Sequence, residues 1–236
     1  MRNWLPTSLK NMCRGGGKDG KLCNYEEFFS HTHYSQLGED IVIKAHFDWR
    51  HGPNYKGIYV DVGCHHPLRL SNTAWAHEAG WKGVNIDANP SAIELFNKHR
   101  PNDININCGV SDKEETLKYY MYESAAMNTC DDGLANKKPR TEMKLVDVKE
   151  IKVRRLDDIL EEHGITRIDF MTVDVEGLDE RILASFDYKK HAPQMIVFEQ
   201  YLTEKRIFKD PMAKLLRKHG YALFSFNFLN SIYVKK

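Results

Sequence analysis

The chain has 236 residues, 42% of them hydrophobic and 28% charged, with 34 Lys and Arg against 33 Asp and Glu and a formal net charge of +1. This is a globular composition, long enough for one α/β domain with a full core, and the charge balance argues against bulk nucleic acid or an anionic membrane as the main partner. No apolar run approaches the roughly 18 residues that a membrane span needs, and five cysteines at irregular spacing make no disulfide framework.

Residues 1–17 hold no apolar stretch like that of a signal peptide, so a cytoplasmic location is expected. Residues 1–33 read as an N-terminal arm preceding a domain over residues 34–236. Arg2, Lys10, Arg14, Lys18 and Lys21 stand against Asp19 alone in the first part of that arm, and Gly15, Gly16 and Gly17 loosen it. A loosely docked arm is the plain reading; an arm that packs on a second subunit, giving a homo-oligomer, or grips an acidic substrate is the sharper one. A helix is expected from Ser35, because Leu37, Ile41, Ala45 and Trp49 recur every four residues until Gly52-Pro53. GIYVDVG (57–63) is a buried strand. Ser71 is a candidate cap for a helix through Ala79, with Gly80 as its left-handed stop. GVNID (83–87) is a second strand, and Asn89-Pro90 opens a helix to about His99. Ile104 to Val110 reads as a third strand and TLKYYMY (116–122) as a fourth, less buried one. Residues 124–149 read as an irregular loop covering an acceptor, in which Lys137, Lys138, Arg140 and Lys144 either meet a phosphate or form a solvated surface. A short helix on Leu156, Ile159 and Leu160 stops at Gly164. IDFMTVD (168–174) is a strand, Leu178 to Phe186 a helix, QMIVFEQ (194–200) a strand and 203–219 a helix. YALFSF (221–226) and SIYVKK (231–236) close the chain as an antiparallel pair.

Apolar strands alternating with amphipathic helices predict a doubly wound, mostly parallel sheet with an antiparallel C-terminal strand. Ligands of such sheets bind outside the carboxyl ends of the strands. Acids or polar residues stand there throughout: Asp61, Asp87, Cys108 to Asp112, Asp174 to Gly177, and Glu199-Gln200. Asp87, ending the second strand, fits either the ribose hydroxyls of an adenosine cofactor or the positive end of the following helix. The first loop, GCHHPLRL, lacks the GxGxxG that lets backbone N–H groups approach a pyrophosphate, and Asp61 beside it would repel one. A carboxylate suits a cation, and S-adenosylmethionine carries a sulfonium and an ammonium without phosphate.

VDVGCHHP (60–67), GVNIDANP (83–90), CGVSDKEETLKYYMY (108–122), AMNT (126–129), VRRLDDIL (153–160) and DFMTVDVEG (169–177), in this order and spacing, resemble the FkbM-type methyltransferase family. YSQLGED (34–40) is similar to the entry segment of one branch, whereas Cys64-His65-His66-Pro67 replaces the tail of the family's usual DVGANxG. The resemblance implies an S-adenosylmethionine-dependent O-methyltransferase with a class I Rossmann-like fold, acting on hydroxyls of sugars or polyketide-like products. A sugar or glycan, nucleotide-activated or part of a surface polysaccharide, is the favoured acceptor. Carried over, Asp61 and Gly63 shape the methionine pocket and Asp87 holds the ribose. Cys108, Gly109 and Val110 lie against the adenine with Ser111 nearby, and Asp174 and Glu176 stand where donor and acceptor meet. Gln36, or Ser71, Asn72 and Thr73 at a helix start, binds the methionine carboxylate.

Methyl transfer to a hydroxyl requires alignment and removal of a proton. His66 and Asp174 are the candidate bases. Asp174, Glu176 and Glu199 could instead converge on a divalent cation, but metal-independent catalysis is the expectation. Competing readings are a nucleotide-dependent oxidoreductase or epimerase, disfavoured by the missing GxGxxG, and a non-catalytic cofactor-binding module. A hydrolase with a metal on His65 and His66 is weaker still.

Overall fold

In the computed structural model, residues 32–137, 140–200 and 209–236 are described. The arm expected over residues 1–33 lies outside them except for Thr32 and His33, as do Lys138, the Arg140 side chain and residues 201–208. Residues His33–Lys236 form one compact unit. No helix among the described residues is long and apolar enough to cross a membrane.

The central sheet is built from strands whose side chains alternate between two apolar layers. β1 (Ile58–Val62), β2 (Lys82–Asp87), β3 (Ile104–Asn107), β7 (Phe170–Val173), β8 (Met195–Glu199), β9 (Tyr221–Asn227) and β10 (Asn230–Lys235) lie in the order β3-β2-β1-β7-β8-β10-β9. β1 pairs in parallel with β2 and β7, and β10 runs antiparallel to both β8 and β9. Val60, Val62, Met171, Val173, Ile196 and Phe198 point to one layer. It is covered by Ile159 and Leu160 of α5 (Leu156–Glu162), Ile182 and Leu183 of α6 (Asp179–Ser185), and Leu216 of α7 (Pro211–Lys218). Tyr59, Phe170, Met195, Val197 and Ile232 point to the other, against Ile43 and Phe47 of α1 (Glu39–His51), Trp75 of α2 (Ala74–Glu78) and Trp81. This period of two is why β1, β7 and β8 read as continuous apolar runs: both faces are buried. The doubly wound, mostly parallel sheet with an antiparallel C-terminal strand is thus the observed fold.

Several boundaries differ from the sequence expectation. The first helix starts at Glu39 rather than Ser35. Asp40 accepts hydrogen bonds from the Tyr34 and Ser35 N–H groups and the Ser35 hydroxyl, and Glu39 from Leu37 N–H. These side-chain bonds turn the backbone away from helix, and Gly38 sits at φ 86°. Ser71 does not cap α2: Thr73 holds the cap position without a side-chain cap bond. Gly80 does adopt the left-handed stop, at φ 81°. Asn89 accepts from Ser91 N–H at the start of α3 (Pro90–His99), as its sequence requires.

The third strand splits. β3 stays in the main sheet, while β4 (Gly109–Ser111) joins a second sheet ordered β4-β6-β5, with β5 (Glu115–Tyr122) and β6 (Leu145–Arg155). The break falls at Cys108, whose N–H turns to the Asp87 carbonyl at 3.0 Å. Residues 124–149 are not wholly irregular. They contain α4 (Asp132–Ala135), and their end belongs to β6, whose residues Leu145 to Glu150 are exposed. Without a buried face, that strand leaves no apolar alternation to read. The last helix begins at Pro211, where the Asp210 carboxylate caps the Met212 and Ala213 N–H groups.

Candidate active site

A cleft partly open to solvent lies at the carboxyl ends of β1, β2, β7 and β8. It receives Gln36, Asp61, Gly63, Ser71, Asn72, Asp87, Cys108, Gly109, Val110, Asp174 and Glu176 from the expected site residues. Among the described residues lining it, none is Lys or Arg.

Backbone geometry at the strand ends makes the floor. Gly63 has φ 79°, and a Cβ there would fall on the Asp174 carbonyl oxygen. The loops after β1 and β7 therefore touch backbone to backbone, an approach open only to glycine. Asp174 N–H donates to the Val62 carbonyl at 2.9 Å, locking the same junction. Glu176 is left-handed at φ 55°, as is Gly177 at φ 111°. That turn is held by Asp179, which accepts from Val175 N–H at 3.2 Å and Gly177 N–H at 3.1 Å. The Thr129 hydroxyl donates to the Glu176 carbonyl at 2.6 Å and clasps the segment after β5 over the cleft.

Asp87 is fixed by two donors, His65 N–H at 2.8 Å and Asn89 N–H at 2.7 Å, one to each oxygen. Burial raises its pKa and these two bonds oppose the rise. Asp61 is 6% exposed and accepts from the Thr73 hydroxyl at 2.6 Å. Burial pushes it up to about 6, against the pull of Thr73 and Arg100. Asp174 is open to solvent yet walled by protein. Desolvation first, then the charges of Asp179, Glu199, Glu176 and Asp61, raise it well above an ordinary carboxyl. Asp174, Glu176 and Glu199 each present an oxygen within 4.8 Å of the others, donor atoms of the hard type that Mg²⁺ takes.

Three expected residues do not line the cleft. His66 Nδ1 accepts the backbone N–H groups of Leu68 at 3.1 Å and Arg69 at 3.0 Å, so it organises its own loop. A ring nitrogen used in this way cannot take a substrate proton. Thr73 lies behind Asp61, and Ser111 is buried with its hydroxyl on Asp112. Conversely, Tyr119, Met127, Asn128, Cys130 and Asn230 line the cleft without having been expected individually. AMNT carried part of that signal; Asn230 carried none, because only the C-terminal hairpin brings it to Glu199.

The family model described as "Methyltransferase FkbM domain" matches residues 61–223, the stretch holding these strand ends. No curated protein matches the sequence. Methyltransferase FkbM from Methylobacillus flagellatus KT, known from a crystal structure, is similar at a TM-score of 0.44 and 12% identity, over 77% of this chain and 44% of that one. The present chain thus spans less than half the length of that relative. With most of its length, and most of the cleft lining, covered by the family model, the chain belongs to the FkbM methyltransferase domain family.

Proposed function

We propose that the chain is an S-adenosylmethionine-dependent O-methyltransferase acting on a hydroxyl of a sugar or glycan. One observation carries the cofactor part: five carboxylates, from Asp61, Asp87, Asp174, Glu176 and Glu199, face a cleft lined by no Lys or Arg among the described residues. A pyrophosphate would be repelled there, whereas a sulfonium and an ammonium are attracted. The same charge pattern favours a neutral glycan over a nucleotide-activated sugar at the acceptor end.

In this reading Asp87, with both oxygens pre-oriented by backbone donors, accepts the ribose hydroxyls. Asp61 receives the ammonium, and Gln36, Ser71 and Asn72 reach the carboxylate. Cys108, Gly109 and Val110 form the apolar wall for the adenine. Bound there, S-adenosylmethionine supplies an electrophilic methyl group. Asp174 takes the acceptor proton; burial and the neighbouring acids raise its pKa and with it its basicity. Glu176, held by the clasp from Thr129, orients the acceptor hydroxyl.

A second reading of the acid cluster rests on the 4.8 Å spacing of Asp174, Glu176 and Glu199, which fits one divalent cation. Calorimetry with S-adenosylhomocysteine and NAD⁺ tests the cofactor: binding of the second and not the first would sink the proposal. Transfer of labelled methyl to neutral glycans against nucleotide sugars tests the acceptor. Activity after EDTA, with Mg²⁺ added back, separates Asp174 as base from Asp174 as ligand.

A further inference from the structure

Arg100 is the largest fully buried side chain, 1% exposed, and among the described residues no carboxylate pairs with it directly. Its guanidinium donates instead to neutral oxygens: Thr73 Oγ1 at 2.8 Å, Tyr59 Oη at 3.1 Å, Ser71 Oγ at 3.1 Å, Asn85 Oδ1 at 3.5 Å and the Pro67 carbonyl. A buried cation is costly unless its charge is answered nearby. Here two hydroxyls pass it on. Tyr59 donates to Asp103 at 2.6 Å, and Thr73 donates to Asp61 at 2.6 Å.

The two ends of this relay differ. Asp103 is saturated, with Gly83 N–H, the Asn85 amide and the Tyr59 hydroxyl all donating to it and His77 at 3.4 Å. Asp61 takes one bond, at Oδ2, and among the described residues no hydrogen bond reaches its Oδ1, although the residue is nearly buried and lines the cleft. Direct pairing with arginine would draw both oxygens inward. The hydroxyl in between leaves one oxygen for a ligand while the cation still lies behind it.

We propose that Arg100, acting through the Thr73 hydroxyl, is a positioning residue that keeps Asp61 ionised and aimed into the cleft to receive the cationic end of the cofactor. This rests on the S-adenosylmethionine reading above. The charged and titratable groups around Asp61 are Arg100 after α3, Asp87 on β2, Asp103 before β3 and Asp174 after β7, with Tyr59 on its own strand and the buried Cys64 thiol after it. Of these only Arg100 favours the carboxylate; the three acids oppose it. Without the relay, the acids and the burial would leave Asp61 neutral over the range in which a cation must bind. The bonds from Arg100 to Pro67 and Ser71 fix the loop that completes that wall.

The test is the carboxyl titration of Asp61 in ligand-free protein, followed by ¹³C NMR and assigned with Asp61→Asn. Thr73→Val keeps the shape of the side chain and removes the hydroxyl. It should raise the Asp61 midpoint by about one to two pH units. Thr73→Ser should restore the parent value. The pH at which S-adenosylhomocysteine affinity sets in should move up equally in Thr73→Val, with affinity near that of the parent at high pH. Arg100→Lys, which keeps a charge but spans fewer oxygens, should shift the midpoint in the same direction. A parent that binds S-adenosylhomocysteine, with Thr73→Val matching it in both titrations, overturns the relay alone. A parent that binds at no pH removes the cofactor reading and the relay with it.

Discussion

Asp87 ends one apolar strand and His66 follows another, and the structure gives them opposite surroundings. Asp87 keeps lone pairs toward the cleft after its two backbone bonds, so Asp87→Ala should weaken S-adenosylhomocysteine by about tenfold or more, ~1.5–3 kcal/mol, in calorimetry. An unchanged dissociation constant would remove the ribose assignment. His66 spends its Nδ1 on the Leu68 and Arg69 N–H groups. His66→Gln should therefore keep a rate near that of the parent across pH 6–9, whereas Asp174→Asn should lose most activity without melting earlier. A large loss of rate in folded His66→Gln would return His66 to the site. The contrast shows what a sequence can reveal at this scale. Asp61, Asp87 and Asp174 were legible because a polar residue ending a buried strand has few places to go but the crevice. His66 suggests a base by its chemistry alone, and whether an imidazole faces a ligand or a turn is decided by loop geometry that has no period. Arg100 lies far along the chain from Asp61 and Thr73, and only the packing of α3 beneath the β1 loop joins them.

At the scale of elements, the junction between the β1 and β7 ends carries the site. Gly63 is required twice, by its φ of 79° and by the Asp174 carbonyl where a Cβ would go. Gly63→Ala must push two parallel strand ends apart, and about 2–5 kcal/mol of stability should be lost in urea unfolding. Gly109→Ala meets Val153 Cγ1 at 2.7 Å, a side-chain atom that can yield, and φ is not left-handed there. Its cost should be smaller, about 1–3 kcal/mol. Equal losses in the two variants would contradict the backbone-to-backbone account. The central elements were readable because both faces of β1, β7 and β8 are buried and their apolar runs are unbroken. The split at Cys108 was not readable: the alternation of Ile104, Ile106, Cys108 and Val110 runs through it unbroken, and a backbone bond to Asp87 sends its second half to another sheet. β6 escaped for the reverse reason, since pairing with β5 stabilises it while water covers much of both faces.

Across the whole molecule, the acid-lined cleft sets a pH dependence that a cationic ligand should reverse. Asp61 is pushed up to about 6 and Asp179 to about 7, and Asp174 is raised as well. A carboxyl whose folded pKa lies above its unfolded value of about 4 binds more protons in the native state between those two values. Stability from these groups is thus fully present below pH ~4 and is lost as pH rises through the folded values, to about 6 for Asp61 and about 7 for Asp179. His46, His65 and His66 act in the opposite sense. Their pKa values are lowered, first by burial, so they lose stability as pH falls below the unfolded value of about 6.5. A melting curve of the parent mixes both trends, but the difference between parent and Asp174→Asn cancels the histidines. Ligand-free Asp174→Asn should be the more stable protein at pH 8, and its advantage should shrink on acidification, as the raised Asp174 carboxyl takes up its proton. If the proposed cofactor reading holds, S-adenosylmethionine brings a cation into the same cleft and should stabilise the parent more than Asp174→Asn at pH 8. A variant less stable than the parent at pH 8, or an advantage that grows on acidification, would mean that the carboxylate is compensated within the fold and does not strain the empty cleft.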